Sequence, residues 1–134
     1  VVLPLHDDRR IELVRQYRYP LREVVLELPA GKLDPGEEPA ACAGRELAEE
    51  TGWKPGGIHR LGPLFTTPGF TDEVIHAFVA TPLEPAPEVV QDPDEAIDNL
   101  TMTVEEALAA CRNGEIRDSK TVATLLLAQL HGWF

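Results

Sequence analysis

The sequence predicts an α/β (α+β) fold in one domain, residues 1–134. Three observations carry that expectation. Strand-type apolar runs dominate as far as Leu83, one helical segment is embedded among them, and two more helical segments close the chain. VVLPL (1–5) and IELVRQYRY (11–19) flank the polar turn HDDRR, and VVLEL (24–28) follows before Pro29, so the first 28 residues read as strands. A Gly- and Pro-dense loop, PAGKLDPGEEP, comes next. From Pro39 to Thr51 the chain is Ala-rich and free of β-branched residues until its last position. Pro39 suits a first helical turn and Gly52 the position just past the end. Further strands are expected from about His59 to Thr67, from Glu73 to Leu83 and near NLTMT (99–103). Thr103 with Glu106 forms a capping box, opening a helix that stops at Asn113-Gly114. The last helix begins near Asp118-Ser119 and ends at Gly132. Its set Val122, Leu125, Leu126 and Leu130 is expected to be core.

Composition excludes several classes. Hydrophobic residues at 43% and charged residues at 26% are ordinary globular values, which rule out a disordered, collagenous or coiled-coil chain. No run of 18 apolar residues is present, so no membrane span is expected. The start lacks the pattern of a signal peptide. Cys42 and Cys111 are too few for a disulfide framework and have no metal-ligand spacing, so a cytoplasmic setting is expected. Beginning at Val1 rather than Met, the chain is expected to lack some leading sequence. A net charge of -11 argues against nucleic-acid binding. A small anionic substrate stays open, provided divalent cations stand between it and the protein.

That acidity is concentrated. Residues 31–53 hold six acids against two bases, and residues 84–98 hold six acids and no base. The second stretch, PLEPAPEVVQDPDEAID (82–98), is too long and proline-broken for a tight turn and reads as a functional loop or solvated insertion. Within the first, Glu46, Glu49 and Glu50 stand at i, i+3 and i+4, so one helical turn gathers their carboxylates. Like charges so placed repel, and Glu49 and Glu50 sit where the helix dipole disfavours them. Hard divalent cations such as Mg²⁺ or Mn²⁺ would remove both penalties. Arg45 is spaced to hold Glu49 at i+4. An isolated acidic helix face is usually just solvated, so the run alone does not decide the matter.

Its context does. From Gly31 the chain reads GKLDPGEEPAACAGRELAEETGW, matching G-x5-E-x7-R-E-U-x-E-E-x-G-U at Gly31, Glu37, Arg45, Glu46, Leu47, Glu49, Glu50, Gly52 and Trp53. Trp53 is the one stretch, an aromatic where an aliphatic is usual. From average residue usage such a match arises by chance on the order of once in ten million chains of this size. The pattern is the Nudix box, and the chain resembles Nudix hydrolases. The resemblance implies an α/β/α sandwich, a mixed sheet between helices, with the box as a loop–helix–loop metal site. It also implies hydrolysis of nucleoside diphosphates linked to another moiety. On that resemblance Glu46, Glu50 and the Ala30 carbonyl are metal ligands, Glu49 shares a second metal, and Glu37, Arg45 and Gly31 support them. The implied cofactor is Mg²⁺ or Mn²⁺, which would polarise phosphoryl oxygens and acidify a water.

The flanks resemble the ADP-ribose pyrophosphatase branch. VRQYRYP and ELPAGKLD precede the box, TTPGFTDE follows it with Pro68 fifteen residues past Trp53, and GEIRDSKTVATLLLA resembles that branch's closing helix. By this resemblance Arg18 contacts substrate phosphate, with Arg15 and Arg22 as weaker candidates; a guanidinium suits paired phosphate oxygens. Glu73 is a further carboxylate candidate near the metals. In that branch a loop glutamate ahead of the penultimate helix acts as base, which places Glu95 in the role, with Asp94 and Asp92 as rivals. The substrate so implied is a nucleotide sugar, and the assembly a homodimer. Relatives carry N-terminal strands that help dimerise and stack the adenine, and these strands are expected to be missing here, or else the dimer and base pocket differ. Tyr17, Tyr19, Phe70 and Trp53 are the remaining stacking candidates, each more readily read as core. Cys42 reads as an apolar-face core residue. Two alternatives stay open: hydrolysis of another nucleotide, and a non-catalytic ligand-sensing domain. A sensor would be expected to have lost box carboxylates, and none is lost.

Overall fold

Alternation of side chains along the strands sets the layers. The structure, a computed structural model, describes residues 1–89 and 97–134. A short β1 (Val2–Pro4) runs parallel to β6 (Val74–Ala80), which pairs antiparallel with β5 (Ile58–Phe65). In β1, Leu3 faces one way and Val2 the other; in β6, Ala77 and Val79 face one way and Phe78 and Ala80 the other. Leu3, Ala77 and Val79 join the larger core with residues of the two C-terminal helices. Val2, Phe78 and Ala80 join a smaller core with Ala43 and Leu47 of the embedded helix. The mixed sheet therefore lies between helices on both faces, the sandwich that the sequence implied.

A second sheet places β2 (Arg10–Arg18) between β3 (Glu23–Glu27) and β8 (Ile97–Thr103), antiparallel to both. Ile11, Leu13 and Leu26 from this sheet, with Leu28 just past β3, enter the larger core. The strand expected near Asn99 thus starts earlier, because β2 offers a long edge for pairing. The run expected from Glu73 to Leu83 instead ends at Ala80. Leu83 belongs to a separate β7 (Leu83–Pro85), paired with β4 (Trp53–Pro55) in a two-stranded sheet. Both segments are three residues long and end in proline, which hides them from a pattern search. The start of the acidic stretch after Pro82 is therefore a paired strand rather than loop.

The helices follow their punctuation. α1 (Pro39–Thr51) has Pro39 in its first turn and ends at Gly52 in the left-handed region, φ 73°, whose N–H bonds the Ala48 carbonyl. α2 (Val104–Asn113) opens on the Thr103–Glu106 capping box and ends at Gly114. α3 (Ser119–Leu130) is capped by Asp118, which accepts from the Thr121 N–H at 3.0 Å. The buried face of α3 differs from the expected one. Leu125 is fully buried and Val122 packs partly against the core, but Leu126 is 48% and Leu130 81% exposed. The inward positions are Thr121, Thr124, Leu125 and Ala128, also at helical spacing. Two threonines on that face disguise it from a hydrophobicity count.

Candidate active site

The site begins with a close approach. Gly31 stands where a Cβ would lie 1.8 Å from Oε1 of Glu46. With no side chain at position 31, the loop before α1 sits against that carboxylate where it stands. One residue earlier, the Ala30 N–H donates to Oε2 of Glu50 at 3.2 Å. Glu50 is 6% exposed, so its carboxylate turns inward beneath the loop rather than out to solvent. The Ala30–Gly31 backbone thus meets two carboxylates from one turn of α1.

Arg45 organises the rest. Its Nη1 donates to Glu46 at 2.8 Å and to Glu49 at 3.0 Å, the i, i+4 contact expected from spacing. Nε and Nη2 donate to the two oxygens of Glu37, each at 3.0 Å, and Nη2 also reaches the Lys32 carbonyl at 3.2 Å. One guanidinium therefore ties the loop to the helix. The Arg45 bonds and the Asp34 N–H hold the Glu37 carboxyl down at about 2, far below the ordinary carboxylate range. Hydrogen bonds to Glu37 and Glu46 push Arg45 in turn above its ordinary value.

This corner opens onto a cavity of about 400 Å³. Ala30, Gly31, Glu46, Glu73 and Arg18 line it, so five of the residues expected from sequence meet there. Glu73 also accepts from the Thr66 hydroxyl at 2.7 Å. Arg15 does not join them; three residues from Arg18, it stands exposed on the opposite face of β2. Arg22 is exposed at the hairpin tip with φ 55°. Glu95, Asp94 and Asp92 lie outside the described residues. Tyr17, Tyr19 and Phe70 are exposed rather than core, whereas Trp53 packs against the smaller core and stands edge-on to His6. Cys42 is buried as expected, and burial pushes its thiol up.

Three cavity residues escaped the sequence reading. Lys32 and Lys120 add positive charge to the wall, and His76 shares it. His76 lies on the same face of β6 as Phe78, and its buried Nδ1 has no hydrogen-bond partner among the described residues. Two of them left a faint trace in the sequence: Lys120 follows the Asp118 cap by two residues, and His76 interrupts an apolar strand.

As the side chains stand, no three Asp, Glu, His or Cys groups among the described residues converge in a ready-made cage. Arg45 lies between Glu46 and Glu49 and binds both. The donor set nonetheless fits a hard divalent cation. It offers carboxylate and carbonyl oxygens against a loop kept open by the missing side chain at Gly31.

Comparison with known proteins decides the family. The NUDIX domain profile matches residues 1–125. The chain belongs to the Nudix family. Across 130 residues this Nudix chain is 39% identical to an ADP-ribose pyrophosphatase of Bacillus subtilis, covering 96% of the chain and 70% of that protein. It is 41% identical over 130 residues to a methanol dehydrogenase activator of Bacillus methanolicus, with the same coverage. A GDP-mannose pyrophosphatase of Cronobacter sakazakii is 36% identical over 140 residues, covering 98% and 73%. Among solved structures, that of an ADP compounds hydrolase superposes with a TM-score of 0.84 at 22% identity, covering 99% of this chain and 74% of that one. That likeness confirms the Nudix fold.

Proposed function

We propose that residues 1–134 form one Nudix domain that hydrolyses the pyrophosphate bond of a nucleoside diphosphate sugar. ADP-ribose is the first substrate to expect, giving AMP and ribose 5-phosphate. The observation that carries this reading is the junction of opposite charges in one cavity. Glu46 and the Ala30–Gly31 backbone line it together with Arg18, Lys32 and Lys120. The names of the 39% and 36% identical relatives support the substrate class. GDP-mannose is accordingly the second substrate to test.

Glu46, Glu50, the Ala30 carbonyl and Glu49 would hold Mg²⁺ or Mn²⁺. Bound there, the cation supplies charge neutralisation of the pyrophosphate and an acidified water. The protein's own groups do the rest. Arg45 and Glu37 fix the loop against the helix so that the carboxylates keep their spacing. Arg18, extending from β2 into the wall, meets phosphate oxygens with its spare N–H groups. Glu73, lining the same cavity, adds a carboxylate near the metals, and Glu95 takes the proton from the attacking water. No covalent intermediate with the protein is required, so positioning and charge stabilisation dominate.

A homodimer in the cytoplasm completes the proposal. The two free cysteines support a reducing compartment, and no helix among the described residues is long and apolar enough to cross a membrane. Sedimentation at micromolar concentration tests the dimer. A panel of nucleoside diphosphate derivatives with Mg²⁺, its products separated by chromatography, tests the reaction. Turnover of other nucleotides with ADP-ribose and GDP-mannose both untouched would discard the substrate class.

A further inference from the structure

We infer that Glu27 is a positioning residue that presents two cations, Arg18 and Lys120, to the ligand in the cavity. The inference rests on the reading of that cavity as a nucleoside diphosphate site. Glu27 closes β3 and is 3% exposed, a place where a carboxylate is costly unless fully partnered. Its partners come from two separate elements. Arg18 of β2 donates through Nε to Oε1 at 2.7 Å and through Nη2 to Oε2 at 2.8 Å. Lys120 of α3, 93 residues along the chain, donates to Oε2 as well.

Strand register does not force this choice. The residue opposite Arg18 in the hairpin is Glu23, and Glu23 pairs instead with Arg117 at 2.8 Å. Arg18 reaches diagonally to Glu27, against which the chain also places Lys120. Lys120 is further held by Asp118 at 3.0 Å, the residue that caps α3. The Leu28 N–H donates to the Thr121 hydroxyl at 2.8 Å beside the clamp, tying the residue after β3 to the first turn of α3.

Both cations line the cavity, whereas Glu27 does not. Both also keep donors in reserve. Among the described residues Arg18 uses two of its five N–H groups and Lys120 two of its three. Burial pushes the Glu27 carboxyl up, but the Arg18 and Lys120 bonds outweigh it and hold the group below its ordinary range. It therefore remains a fixed anion between two cations. A well-packed apolar trio would secure this seam as firmly, since buried ion pairs contribute little net stability. What the charged trio adds is two pre-oriented cations on the wall that receives phosphate.

The test is a thermodynamic cycle read by calorimetric binding of ADP in Mg²⁺, with KM and kcat measured on whichever nucleotide sugar is cleaved. E27Q is expected to weaken ADP binding about tenfold and raise KM by a similar factor, with kcat changed far less. In the R18M/K120M background the same E27Q change is expected to leave ADP binding within about twofold, because the groups it orients are gone. Should E27Q alone not fold, R18M and K120M are compared singly and together; a clamp acting as one unit gives non-additive losses. The inference fails if E27Q binds ADP as tightly as the parent. It also fails if the weakening persists undiminished without the cations, or if R18M and K120M losses simply add. A chain that binds ADP through the clamp yet cleaves no nucleotide sugar refutes the substrate reading and leaves the clamp standing.

Discussion

Replacing Gly31 with alanine separates the geometry of the site from the stability of the fold. The added Cβ would lie 1.8 Å from Oε1, 1.9 Å from Cδ and 2.4 Å from Oε2 of Glu46, where real contacts do not fall below 3.0 Å. Going from 1.8 Å to 3.0 Å, the nearest carboxylate oxygen must retreat by about 1.2 Å. The backbone objects to nothing else, because Gly31 is not among the glycines with positive φ. A compatible Gly→Ala change tends to stabilise by about 0.4–1 kcal/mol through the unfolded chain. The carboxylate sits at the end of a flexible stem and can swing aside without disturbing the core. A displacement of this size in a reacting centre costs about 100-fold, or about 2.7 kcal/mol of transition-state stabilisation. Gly31→Ala is therefore expected to keep the thermal midpoint within a few degrees while kcat/KM falls about 100-fold. Steady-state kinetics with a Mg²⁺ titration, alongside thermal melts, reads both quantities. Undiminished kcat/KM with an unchanged Mg²⁺ midpoint would refute the reasoning, as would activity lost only because the protein unfolds.

Three more outcomes are expected. Glu37 is held at about 2 against an ordinary value of 4.5, so the unfolded chain takes up the proton first. Its contribution is complete above about pH 4.5 and lost as pH falls toward 2, and Glu37→Gln should flatten the fall of the melting temperature across that window; identical slopes in the two proteins would contradict this. Leu125→Ala should cost about 2–5 kcal/mol by denaturant unfolding, while Leu130→Ala, 81% exposed, should stay within about 0.5 kcal/mol. Equal losses would mean that the buried face of α3 is wrongly assigned. Glu95→Gln should lower turnover about 100-fold or more with metal affinity nearly intact, and full activity in that variant would remove Glu95 from the role of base.

Much of this was legible in the sequence because local chemistry determined it. The Arg45–Glu49 contact and both ends of α1 were readable, since each depends on spacing within one turn or on a cap, whereas the close approach of Gly31 to Glu46, fifteen residues on, was not. The Thr103–Glu106 box and the Asp118 cap were equally readable. The clamp at Glu27 was not, because Lys120 arrives from 93 residues away and nothing local announces it. A charge breaking the apolar run VVLEL was its only trace. The inward face of α3 was misread because Thr121 and Thr124 are buried, one of them bonded to the Leu28 N–H. The inward turn of Glu50 escaped notice for a similar reason. Helical spacing gathers three carboxylates, but only the loop above them decides which is buried.

The central claim is that this cavity brings a carboxylate metal site and phosphate-binding cations together around a pyrophosphate. Incubation with ADP-ribose and Mg²⁺ in ¹⁸O-labelled water, with products resolved by mass spectrometry, tests it most directly. The account predicts AMP and ribose 5-phosphate in equal amounts, one of them carrying the label on phosphate, and no reaction for Glu46→Gln. Release of ADP and free ribose, or undiminished cleavage by Glu46→Gln, would contradict it.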